Sequence, residues 1–215
     1  MKTDAFFVVS QWNNDIRWVE EYTDNYLIYD KSNTLPESSK VIKCENVGHN
    51  LFDIFHYVYT NYENLPDMVA FLEGHPWDHC NREKFDRIIN NKFFTPLESY
   101  ENSPDYAAAM KCSDGGWQEI NNDWYIHSHP RKDFSAFQSY NQALDYVFKN
   151  AYHPQFVRMS PGGMYLVEKE RLLHYSKNFW KSLMEIVSKH TNQPEAYIFE
   201  RMLWTIFSCS FESQL

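Results

Sequence analysis

One short stretch gathers two carboxylates and two histidines within seven residues: Glu73-Gly74-His75-Pro76-Trp77-Asp78-His79. Its two carboxylates lie on the loop after a buried strand, with His75 and His79 between and beside them. Mg2+ and Mn2+ use one or two carboxylates and leave positions open for a substrate diphosphate, so Glu73 and Asp78 are candidate metal ligands. The same carboxylates could instead cap the next helix or pair with Arg82. A second candidate is Glu200, inside the apolar run Ala196-Tyr197-Ile198-Phe199-Glu200-Arg201-Met202-Leu203-Trp204. Burial disfavours the charged form and raises the pKa of a carboxyl, which suits a general base. A structural ion pair with Arg201 or Arg171 is the alternative. A third signal is Pro161-Gly162-Gly163 before an apolar run, where two glycines allow close backbone approach.

Other chemistries fit less well. His75, Asp78 and His79, completed by His127 and His129, could be read as a zinc-hydrolase cluster, but their spacing is no zinc signature. The chain has neither a GxxxxGK[ST] phosphate loop nor a GxGxxG dinucleotide loop, and no Gly-x-Ser-x-Gly elbow. Cys44, Cys80, Cys112 and Cys209 form no CxxC pair and point to a reducing, cytoplasmic setting.

Buried strands alternate with helices to position these residues. Ala5–Val9, Tyr26–Tyr29, Lys40–Cys44 and Met68–Leu72 read as strands. Asp15 reads as the cap of a short helix holding Ile16, Trp18 and Val19. Leu51, Ile54, Phe55, Val58 and Tyr59 recur at helical spacing. Residues 91–134 read as irregular. Ser135 with Gln138 reads as a capping box for a helix to about Lys149. Phe156–Arg158 and Met164–Val167 read as strands, and helices close the chain near Phe179–Lys189 and Pro194–Phe207. This pattern predicts an α/β fold with a mainly parallel central sheet flanked by helices, as a single domain over residues 1–215. Ligands of such sheets bind beyond the carboxyl ends of the strands. Ser10–Asn14, Asp30-Lys31 and Glu73–His79 should therefore crowd one rim.

Composition limits the partners. The 215 residues carry 20 basic and 29 acidic side chains, a net charge of −9, which argues against a nucleic-acid binder. No run of about 18 apolar residues exists to span a membrane. Aromatic residues make up 18%, enough to supply stacking faces as well as core.

The stretches Ser10–Asp15, Asn46-Val47-Gly48-His49, Leu65–His79, Pro161-Gly162-Gly163 and Phe199–Trp204 resemble a family of uncharacterised fungal and viral proteins that includes a chlorella-virus glycosyltransferase domain acting in capsid glycosylation. The resemblance implies an A-type glycosyltransferase fold, a UDP-sugar donor, Mn2+ or Mg2+, a glycan or glycoprotein acceptor and, for a viral protein, the host cytoplasm. The glycine pair followed by an acidic helix is similar to the acceptor half of galactosyl- and N-acetylglucosaminyl-type transferases. The usual Asp-x-Asp metal motif is absent, with Glu73–Asp78 in its place and Asp78 the favoured ligand. On this reading Ser10, Gln11 and Trp12 hold uracil and ribose, with Asp30, Lys31 and Gly74 beside the nucleotide. Trp77, Trp117, Trp204, Gly162 and Gly163 would face donor sugar or acceptor, and Glu200 would be the base. A nucleotide-sugar-binding module without turnover is the alternative of another class.

Overall fold

Residue parity along the strands builds the core. In the computed structural model, which describes residues 2–97, 109–113 and 115–215, strand β1 (Phe6–Gln11) turns Val8 to one face of the sheet and Phe7 and Val9 to the other. Strand β4 (Met68–Glu73) sorts Val69 and Phe71 from Met68, Ala70 and Leu72 in the same way. Side chains of a strand alternate between faces, so a sheet covered on both sides needs apolar residues at every position. These runs have them.

The elements follow as α1 (Val19–Tyr22), β2 (Tyr26–Asp30), β3 (Val41–Lys43) and α2 (His49–Asn61). After β4 come α3 (Arg82–Ile88), β5 (Thr95–Pro96), β6 (Ala109–Lys111), β7 (Trp117–Ile120), α4 (Trp124–His127) and α5 (Tyr140–Val147). The chain closes with β8 (Phe156–Met159), β9 (Tyr165–Glu168), α6 (Lys169–Leu173), α7 (Lys177–Val187) and α8 (Pro194–Phe207). The main sheet has the order β3-β2-β1-β4-β9-β5. Its first four strands are parallel, and β9 runs antiparallel to β4 and β5. One face packs on α2, α5, α7 and α8, and the other on Trp18, Val19, Phe85 and Ile89 from α1, α3 and their flanks. The expected mixed α/β architecture with a mostly parallel sheet and flanking helices is present.

Three local readings are corrected. Asp15 caps no helix; it folds back onto the Arg17 side chain and backbone amide. The Ser135–Gln138 box is not used: Ser139 caps α5 by accepting from the Gln142 amide at 3.0 Å. Ser135 instead turns towards Phe137 and Glu195. The stretch read as irregular contains β5, which forms an edge of the main sheet, and β6, β7 and α4, and β7 pairs with β8 in an antiparallel second sheet, β6-β7-β8. These strands are two to four residues long, too short for alternation to stand out. Residues 98–108 of that stretch lie outside the described residues.

Candidate functional site

The β1/β4 junction organises the site. From β1 the parallel sheet grows towards β2 and β3 on one side and towards β4 on the other. At such a switch point neighbouring connections diverge and leave a crevice at the strands' carboxyl ends. Ser10 and Glu73 are register partners there, and the Gly74 amide donates to the Ser10 carbonyl at 2.7 Å. A polar cavity of about 330 Å3 opens on this crevice, bordered among others by Trp12, Lys31, Asn46, His49, Asn50 and Glu73. Ser10, Gln11, Gly74 and Asp78 also border it.

Parity separates Asp30 from Lys31. Gln11 and Asp30 are register partners and share the face of Phe7 and Ile28, away from α2. The Gln11 amide donates to Asp30 at 2.9 Å, and Asp30 also accepts from Ser32, the Leu35 amide and Lys43. Burial opposes ionisation of Asp30, but Lys43 and the other donors outweigh it and hold its pKa down at about 2. Asp30 is therefore a fully buried knot that stabilises the second strand's exit, not a cleft residue, and Gln11 spends its amide on the same knot. Lys31, one residue on, faces the cleft. Its ammonium lies 2.9 Å from Asp53 of α2 and donates to the Val47 carbonyl at 3.0 Å. Asp53 is completely buried; desolvation pushes its pKa up to about 6, against the pull of Lys31.

Glu73 also lines a second cavity of about 260 Å3, with His79, Trp117, Trp124, Tyr197 and Glu200 among its walls. A smaller cavity of about 100 Å3 shares His49 and Asn50 with the first and Tyr197 and Glu200 with the second, and Glu73 with both. The carboxylate of Glu73 thus stands at the junction of the cleft. His79 lies 3.4 Å from it. Asp78 is on the outer rim, its side chain 67% exposed and 2.9 Å from His75. Neither carboxylate caps α3: Asn81 does, accepting from the Glu83 amide at 2.8 Å, while Arg82 pairs with Glu21.

The glycine turn joins Glu73 to Glu200. Gly162 has φ of +73°, and a Cβ there would lie 2.8 Å from His79 Cδ2 and 3.2 Å from the Glu73 carboxyl carbon. Only glycine can bring the backbone this close to both. The Gly162 amide donates to Glu200 Oε1 at 2.7 Å, and its carbonyl accepts from Asn50 at 2.5 Å. Gly163 lies behind it, against Asn50 and Leu203. Burial raises the Glu200 pKa, and Glu73 pushes in the same direction; Arg201 and the Gly162 amide pull the other way. Arg201 is only partly available to Glu200. Its Nε pairs with buried Glu119 of β7, its Nη1 sits 3.4 Å from Glu200 Oε2, and its guanidinium lies over Tyr125 at 4.1 Å. Arg171 is engaged with Glu168.

Of the tryptophans singled out from sequence, Trp117 lines the inner cavity. Trp77 does not; it packs with Trp18, Tyr22 and Phe85 on the far face of the sheet. Trp204 does not either; it lies against Gly116, Phe94 and Arg158 and lines a separate pocket. The proposed histidine cluster also fails to assemble. His129 packs beside Tyr197 and accepts from the Arg131 amide, and no group of three or more potential ligands forms among the described residues. Asn50, Trp124 and Tyr197 are cleft residues that sequence reasoning missed. Tyr197 lay in the run quoted around Glu200, whereas Asn50 follows directly on the quoted Asn46–His49, and nothing in its type marked its bond to Gly162.

These features define a mixed α/β protein with a two-chambered cleft at the switch point of its mostly parallel sheet and a partly buried carboxyl in the inner chamber. The chain belongs to the family described as proteins of unknown function, DUF3431, whose pattern matches residues 7–214. No curated protein and no solved structure matches it. Among the described residues no helix is long and apolar enough to cross a membrane.

Proposed function

We propose that this protein is a metal-dependent glycosyltransferase with an A-type glycosyltransferase fold, moving a hexose or deoxyhexose from a UDP-sugar to a glycan acceptor. The observation that carries the reading is the position of Glu73. It lies between a polar chamber at the switch point, suited to a nucleotide, and an inner chamber that holds a second, partly buried carboxyl, Glu200. A transferase that joins two substrates needs two adjoining chambers with a reactive group at their boundary. The resemblance noted above, not the cleft, suggests a viral capsid glycoprotein as the acceptor.

A shared cation belongs to the proposal because Glu73 and Asp78 both border the polar chamber. Glu73 and Asp78 supply anionic oxygens, and no three-ligand cage converges on them among the described residues. A closed structural zinc site needs four ligands, whereas Mg2+ or Mn2+ held jointly with a diphosphate needs only one or two carboxylates. Glu73 is the better-placed of the two, since Asp78 lies on the rim and pairs with His75. The bound cation would screen the diphosphate and act as a Lewis acid towards the departing nucleotide.

The remaining work falls to the chain's own residues. Trp12 and Lys31 border the nucleotide chamber, and Asp53 holds Lys31 in place. Gly162 and Arg201 fix the two oxygens of Glu200. Glu200 takes the proton of the acceptor hydroxyl as its oxygen attacks the sugar's anomeric carbon, and UDP leaves. The test is release of UDP from a panel of UDP-sugars, with simple glycosides supplied as acceptors, by wild type and Glu200→Gln with Mn2+. Metal-dependent turnover that Glu200→Gln lowers about a hundredfold, the scale for losing a general base, supports the reading. A wild type that binds UDP but never turns over overturns it in favour of a binding module.

A further inference from the structure

We infer that the inner chamber is an acceptor subsite for one uncharged sugar ring, held between Trp124 and Tyr197. The inference rests on the proposed transferase activity and names the class of acceptor. Three elements supply aromatic walls: Trp117 from β7, Trp124 from α4 and Tyr197 from α8, with Met159 of β8 beside them. The C–H-bearing face of a sugar ring is slightly positive and suits the negative face of an aromatic ring. The ring's hydroxyls donate hydrogen bonds, and an ionised carboxylate is an acceptor only, so Glu200, which is not assigned to the cation, complements them. At about 260 Å3 the chamber is smaller than most small-molecule sites, which limits it to the terminal residue of a glycan.

Charge fixes the class further. The basic side chains among the chamber's lining residues are His79 and Arg201. His79 faces Glu73, and Arg201 is committed to Glu119, Glu200 and the Tyr197 carbonyl. A uronic acid or a phosphorylated sugar would bring a negative charge up to Glu200, while the cation proposed at Glu73 is already matched by that carboxylate and the diphosphate, so no uncommitted charge meets it. The ring is assigned to the acceptor, not the donor, because Tyr197 sits about one helical turn before Glu200 on α8 and neither Tyr197 nor Trp124 lines the nucleotide chamber.

The experiment titrates methyl glucoside, methyl galactoside, methyl rhamnoside and glucuronate into the protein saturated with UDP and Mn2+, and repeats the titration with the protein saturated with UDP-glucose. At least one neutral glycoside should bind under both conditions, and glucuronate at least tenfold more weakly. Trp124→Ala and Tyr197→Leu should each weaken the glycoside at least fivefold while UDP affinity stays within twofold. Because Trp124 also touches Arg201 and Glu119, Tyr197→Leu decides the matter if Trp124→Ala does not fold. Equal binding of glucuronate, indifference to Tyr197→Leu, or loss of glycoside binding only when the donor carries its sugar would each overturn the inference. Failure of UDP itself to bind would instead strike the proposed function.

Discussion

Replacing Gly162 by alanine tests the wall between the two chambers. The backbone there is left-handed, with φ of +73°, and an L-residue in that region loses about 1–2 kcal/mol. The added methyl would also sit 2.8 Å from His79 Cδ2 and 3.2 Å from the Glu73 carboxyl carbon. Forcing a methyl into packed surroundings costs about 1–3 kcal/mol. The sum is about 2–5 kcal/mol, a large part of the roughly 5–15 kcal/mol that holds a domain folded. Gly115→Ala separates the two terms. Its φ is +92°, but its Cβ would meet nothing closer than Lys84 Nζ at 3.4 Å, so only the conformational part remains. Urea unfolding should show Gly162→Ala losing at least about 1 kcal/mol more than Gly115→Ala, with UDP affinity falling in the first variant alone. Equal losses would refute the reasoning, because they would mean that Glu73 and His79 yield freely and form no fixed wall.

Other consequences follow from the buried charges. Lys31→Met should destabilise the fold by about 3–5 kcal/mol by leaving Asp53 uncompensated, and adding Asp53→Leu should recover most of the loss in urea unfolding. Because burial lifts the Asp53 pKa from 3.8 to about 6, the native state binds more protons than the unfolded state between those values. Stability should therefore fall as pH rises through that window, and Asp53→Asn should flatten the fall in melts taken from pH 4 to 7. Glu119→Gln should release Arg201 towards Glu200 and lower the Glu200 pKa, moving the acidic limb of the transfer pH profile to lower pH; an unmoved limb would separate Arg201 from the base.

The main sheet was legible except for the two-residue strand β5, because its other strands are short, mostly apolar runs and its helices keep apolar spacing. The rim followed from the parallel arrangement alone, which puts Ser10 and Glu73 side by side. What the sequence left open was decided by geometry with no local signal. Asp30 and Lys31 are adjacent and equally polar, and only the parity of β2 sends one into a buried knot and the other into the cleft. Trp77, Trp117 and Trp204 are alike as letters, but only Trp117 lies on a strand that forms the cavity wall. Glu119, the partner that moderates Arg201, comes from a four-residue strand in a segment without periodicity. Ser135 had the spacing of a capping box, but a serine next to α5 itself took the role and Ser135 bonded Glu195.

The central claim is that Glu73, shared by both chambers, anchors a cation that holds a nucleoside diphosphate. Its most direct test is calorimetric titration of UDP into wild type and Glu73→Gln, each with Mn2+ and again with excess chelator. Wild type should bind UDP well only with Mn2+, and Glu73→Gln should bind at least tenfold more weakly, about 1.4 kcal/mol, with its melting temperature nearly unchanged. UDP binding by wild type that is equally strong in chelator, or that Glu73→Gln leaves intact, would contradict the account.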